Sequence, residues 1–158
     1  MTESENFAER IREHFPEGLT GIFAVGGTRT SYILTNNLNN SDPGRIEKME
    51  RYGDYGLGKI REMIQWFLEY GGRNIIVPVL SYQSFANERG TEYAKETTKI
   101  VFELITDSWI EFYRLYDIDP YFVGIDTLLH LPAESSAYQL GKAFREFNEN
   151  WSYQLGRR

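Results

Sequence analysis

The chain has 158 residues with a net charge of −6, a length that suits one compact α/β domain able to bury about two-thirds of its unfolded surface. The absence of Cys excludes disulfides, thiolate metal sites and thiol catalysis. The two His, His14 and His130, are too far apart in sequence for a helix-borne zinc pair, and the acidic balance argues against broad nucleic-acid binding. The polar start MTESENFAER carries no signal-peptide pattern and no apolar run approaches the ~20 residues of a membrane span, so a cytoplasmic protein is expected.

Thr2 and Glu5 have capping-box spacing, and Phe7, Ile11 and Phe15 recur at helical spacing, which predicts a helix over 2–15 ended by Pro16 and Gly18. LTGIFAV, 19–25, reads as a buried strand stopping at Gly26-Gly27. The stretch 35–56 is rich in Asn, Ser, Asp and Gly and is expected to be a loop. Leu57, Ile60, Met63, Ile64, Phe67 and Leu68 form a helical stripe ended by Gly71-Gly72. NIIVPVLS, 74–81, is a second strand, with Pro78 marking an edge or a bulge. Residues 91–116 read as one long helix, YFVGID at 121–126 as a third strand, and Pro132 as the opening of a last helix. This alternation implies right-handed crossovers and a mostly parallel sheet flanked by helices, with ligands at the carboxyl ends of the strands.

Two loops at those ends carry chemistry. Gly26-Gly27-Thr28-Arg29-Thr30-Ser31 combines glycines that admit close backbone approach with hydroxyls and a planar guanidinium, a set suited to phosphate. The same residues also read as a tight turn with a surface Arg. SYQSFANERG, 81–90, supplies Ser81 and Arg89, where Arg89 is either a second anion ligand or a surface partner of Glu88 or Glu92.

Taken in order, these motifs resemble the cis-prenyltransferases, the fold of undecaprenyl diphosphate synthase. They are most similar to the branch containing tuberculosinyl transferase and bacterial diterpene synthases. The family's D-G-T-R-R loop is matched by Gly26-Gly27-Thr28-Arg29-Thr30, its helix ending E-x-G by Glu69-Tyr70-Gly71, and its R-G-x-x-Y by Arg89-Gly90-Thr91-Glu92-Tyr93. Gly124-Ile125-Asp126 and His130-Leu131-Pro132 stand where the family has G-D and R-L-P, so the resemblance covers about 20–135, the family's N-terminal half. It implies an allylic prenyl diphosphate as ligand, bound by Gly26, Gly27, Thr28, Arg29, Ser81 and Arg89. It implies Tyr52 and Tyr93 as the catalytic pair beside the carbocation, with Tyr55 a rival of Tyr52, and Mg²⁺ as cofactor. It also implies a homodimer or pairing with a complementary subunit.

Two departures bear on activity. The family's loop Asp is Gly26, and the second Arg is Thr30. No metal motif replaces the Asp; Asp54 and Asp126 are the nearest carboxylates by loop position. The expected function is therefore a prenyl diphosphate-processing enzyme, with a non-catalytic partner of a cis-prenyltransferase as the alternative.

Overall fold

The computed structural model describes residues 3–24, 26–36, 49–81 and 91–153. Val25, the stretch 37–48, residues 82–90 with Arg89, and the Arg29 side chain lie outside the described residues. The chain folds into two compact units, Met1–Val79 and Leu80–Arg158. Among the described residues the architecture is mixed α/β, with seven α-helices and a two-stranded parallel sheet, and no helix is long and apolar enough to cross a membrane.

The first unit runs helix α1 (Glu3–His14), strand β1 (Leu19–Ile22), helix α2 (Thr28–Thr35), helix α3 (Met49–Glu69) and strand β2 (Gly72–Ile76). β1 and β2 pair in parallel, Thr20 opposite Asn74 and Ile22 opposite Ile76, with an irregularity between Leu19 and Thr20. Parallel pairing needs a long crossover, which α3 provides. The Phe67 ring of α3 lies on the sheet: a Cβ added at Gly72 would sit 2.4 Å from it. Only a glycine admits that approach. Phe67 also meets Phe23 edge-on at 5.3 Å, and Ala8, Ile64 and Leu68 are buried.

Both strands are shorter than the sequence indicates. β2 ends at Ile76, two residues before Pro78, whose ring nitrogen has no proton for a ladder bond. The stretch expected to be a loop until residue 56 is helical from Met49 onward. Its glycines, Gly53, Gly56 and Gly58, lower helix propensity without overriding the apolar stripe that α3 shares with Ile64 and Leu68. Residues 28–32, expected to belong to the loop after the first strand, instead open α2, which runs to Thr35.

The second unit contains helix α4 (Thr91–Phe102), a 3-10 turn (Glu103–Ile105), and helices α5 (Asp107–Leu115), α6 (Ile125–Leu129) and α7 (Ser136–Asn150). The expected single helix over 91–116 is thus broken. Thr106 is extended with ψ 165, and its hydroxyl donates to the Glu103 carbonyl at 2.7 Å, competing with helix continuation. The break folds the segment on itself, and the buried Tyr113 hydroxyl donates to the Leu104 carbonyl at 2.9 Å. Trp109, Phe112, Leu128, Leu140 and Phe144 are buried with it.

The third strand expected over 121–126 is absent. Residues 121–124 form no regular element, and Ile125 and Asp126 open α6. The Asn148 carboxamide takes the place of a strand neighbour: it accepts from the Phe122 N–H at 3.0 Å and donates to its carbonyl at 2.8 Å. The Phe122 ring stacks on Phe144 with centroids 4.0 Å apart. α7 begins at Ser136 rather than at Pro132, because the Ser135 hydroxyl caps it by accepting from the Tyr138 N–H.

Candidate functional site

β1 and β2 are parallel, so both deliver the chain to one edge of the sheet. From that edge the chain passes Phe23, which still donates to the Ile76 carbonyl at 2.9 Å, and reaches Gly26-Gly27. Gly27 adopts φ 75, a left-handed turn that costs an L side chain strain and glycine almost none. Its carbonyl accepts from the Ser31 N–H at 2.9 Å, which starts α2. Among the described residues, a Cβ at Gly26 or Gly27 would meet nothing within 4 Å.

α2 then presents Thr28, Ser31 and Thr35 at intervals of three and four, one face of a helix. α3 presents Tyr52, Tyr55 and Lys59 at the same intervals. The two rows meet in register. The hydroxyls of Thr28 and Tyr52 share a hydrogen bond of 3.0 Å, and those of Ser31 and Tyr55 one of 2.6 Å. Between them the buried Tyr32 ring lies edge-on to both Tyr52 and Tyr55, with centroids 5.6 and 5.5 Å apart. The pairings advance in the same direction on both helices, so α2 and α3 run in the same sense at this contact.

Hydrogen bonding with Ser31 and then with Thr35 holds the Tyr55 hydroxyl below the ordinary tyrosine range; desolvation opposes it, Lys59 assists and Glu62 opposes. The Lys59 ammonium lies 5.8 Å from the Tyr55 ring centre and donates to Glu62 at 2.7 Å, which raises its own affinity for a proton.

Of the residues singled out from the sequence, the first unit brings Gly26, Gly27, Thr28 and Tyr52 to one place. The backbone of Arg29 is the second residue of α2. Tyr52 sits on α3, not in a loop before it, so its ring is fixed by helix geometry. Ser81 is exposed and Tyr93 half-buried on α4, both in the second unit. Arg89 is outside the described residues. The Ser31–Tyr55 pair went unread because its signal, the matched spacing of the two rows, appears only once both segments are known to be helical.

Among the described residues, the donors at this turn do not suit Mg²⁺. Thr28, Ser31, Tyr52 and Tyr55 are neutral hydroxyls, whereas a hard dication is held by carboxylates and phosphates. Among the described residues no group of three or more His, Asp or Glu is disposed around a metal position. Asp54 is exposed on α3. Asp126 is exposed in the second unit, where its carboxylate accepts from Arg145 at 3.2 Å beside an open cleft of about 450 Å³.

Comparison of the chain with family models, with curated proteins and with solved structures finds no match to any of them.

Proposed function

We propose that the chain is a prenyl diphosphate-processing enzyme that binds the diphosphate head at Gly26–Ser31 and ionises an allylic substrate. The observation that carries this reading is the 3.0 Å contact between Thr28 and Tyr52. It joins a residue of the proposed diphosphate loop to a proposed catalytic tyrosine 24 positions away. The glycine turn supports it, since no described residue lies within 4 Å of a Cβ added at Gly26 or Gly27 and a phosphate needs close approach to the backbone. Arg29 adds a cation at the start of α2, and Ser81 and Arg89 are assigned further head contacts by the resemblance alone. Half-buried Leu57, Ile60 and Met63, farther along α3, offer apolar surface to a hydrocarbon tail.

In the proposed reaction the allylic C–O bond breaks and both electrons leave with the diphosphate, which Arg29 and the loop N–H groups stabilise. The resulting cation is met by a tyrosine ring face, a role this reading gives to Tyr52 and the resemblance alone gives to Tyr93. Capture by water forms the new C–O bond, and the proton of the resulting oxonium passes to the departed diphosphate. No step is assigned to a metal.

Gly26 favours a second reading, a non-catalytic partner of an active cis-prenyltransferase, because the resemblance places a functional carboxylate there. Incubating the purified chain with C10 to C20 allylic diphosphates, in EDTA and in millimolar Mg²⁺, separates the two. Release of diphosphate together with a prenyl alcohol or hydrocarbon is expected of the enzyme. Binding without release in either buffer would favour the partner.

A further inference from the structure

We infer that residues 121–123 are an open strand edge through which two copies of the chain pair antiparallel, with Phe122 on the two-fold axis. The inference is independent of the diphosphate reading. It rests on a difference between the two sides of this short segment.

One side is held by its own unit. The Asn148 carboxamide accepts from the Phe122 N–H at 3.0 Å and donates to the Phe122 carbonyl at 2.8 Å. One planar carboxamide reaches both groups of a single residue only where they point the same way, the geometry of an extended residue. The Pro120 carbonyl accepts from the Tyr153 hydroxyl at 2.9 Å, and proline has no N–H to satisfy. In extended backbone alternate residues turn their polar groups to the same side. Those of Pro120 and Phe122 therefore face the unit, and those of Tyr121 and Val123 face away.

On that other side, the N–H and carbonyl groups of Tyr121 and Val123 make no hydrogen bond among the described residues. The side chains alternate too: the Phe122 ring stacks on Phe144, whereas Tyr121 is 68% exposed and Val123 77%. Gly124, at φ 77, turns the chain into α6 and ends the edge. Unpaired extended backbone of this kind is a template for another strand.

A second copy fits the template in one register. Two-fold pairing about Phe122 sets Tyr121 opposite Val123 of the second copy, and Val123 opposite its Tyr121. Both are hydrogen-bonded pairs, so every outward N–H and carbonyl of the edge is used. The central pair is of the kind without mutual bonds, as the Phe122 groups held by Asn148 require. Each outer pair sets an aromatic ring against a β-branched side chain, a favourable cross-strand combination. Sliding one copy by two residues sets Tyr121 or Val123 against itself and carries the other outward residue past the end of the edge. So short a ladder makes a transient dimer. Each copy carries a net charge of −6, which opposes association, so salt strengthens it.

Sedimentation equilibrium of the full chain tests the pairing. Monomer is expected to pass to dimer as concentration rises to about 1 mM, and at lower concentration in high salt. Val123→Pro removes an outward N–H from each copy and is expected to weaken dimerisation at least about tenfold, the scale of two lost hydrogen bonds. Val123→Thr keeps the N–H and the branched shape and is expected to dimerise like the parent. The chain has no Cys, so introduced cysteines read the register without proline. A mixture of Tyr121→Cys and Val123→Cys is expected to form a disulfide dimer at least about tenfold faster than either variant alone, because the antiparallel pair holds those positions within disulfide reach. A chain that stays monomeric throughout overturns the inference and leaves the edge to an extended segment of another protein. A folded Val123→Pro chain that dimerises like the parent overturns it as well. So does mixed crosslinking no faster than that of the separate variants.

Discussion

At residue 26 the chain carries glycine where the resemblance expects aspartate, and the structure makes that position testable. Among the described residues a Cβ there meets nothing within 4 Å, and Gly26 is not among the positive-φ glycines, so a side chain adds no left-handed backbone strain. Gly26→Asp is expected to weaken pyrophosphate binding in EDTA, by repulsion, and to strengthen it in millimolar Mg²⁺, because a carboxylate then supplies the missing hard ligand. Gly26→Asn has nearly the same shape without the charge and should change little in either buffer. Identical behaviour of the two variants in calorimetry would remove residue 26 from any diphosphate site. For Arg29→Ala the expected loss is about 1.5–3 kcal/mol of pyrophosphate binding, the range for hydrogen bonds to charged groups. Its thermal stability should stay within about 0.5 kcal/mol of the parent, since alanine is a good helix former at the second position of α2. Unchanged affinity would make Arg29 a surface charge. Gly27 was legible as a special position because Gly-Gly after a strand formers' run signals a turn; its role as the left-handed start of a helix was not, because TRTSYILT contains the β-formers Thr, Tyr and Ile.

At the level of elements, the segments with strong apolar periodicity were readable and those fixed by side-chain-to-backbone bonds were not. α1, the C-terminal part of α3, and α7 follow their stripes. β1 and β2 stand close to where runs of strand formers place them, each shorter than expected. The break after Phe102 depends on one Thr106 hydroxyl, and the lost strand at 121–126 depends on Asn148, 26 residues away from Phe122. A β-rich run such as YFVGID pairs with whatever satisfies its backbone, and in this unit that is a carboxamide on α7. Asn148→Ala is therefore expected to destabilise the chain by about 1–3 kcal/mol, the cost of leaving backbone groups without their partner. Amide exchange at Phe122 should accelerate along with it. If Phe122 exchanges at the parent rate in a folded Asn148→Ala chain, the carboxamide does not hold this segment.

For the whole molecule, the α/β character was legible and the extent of the sheet was not. A helix–strand alternation counts strands by their sequence patterns, whereas among the described residues two of the three candidates pair with a strand and the third pairs with the Asn148 side chain. The site was partly legible: Thr28 and Tyr52 were assigned from motifs and meet at 3.0 Å, while Ser31 and Tyr55 join them through a register that no linear motif displays. With a net charge of −6, the molecule must draw an anionic ligand by local groups against its overall field, so pyrophosphate affinity should depend on the loop rather than on bulk charge. The most direct measurement is an amide NMR titration of the ¹⁵N-labelled chain with pyrophosphate. Saturable shifts centred on the amides of Gly26, Gly27, Thr28 and Ser31 are expected. Shifts centred instead on the Asp126–Arg145 cleft, or no saturable shift between residues 26 and 31, would contradict the diphosphate reading.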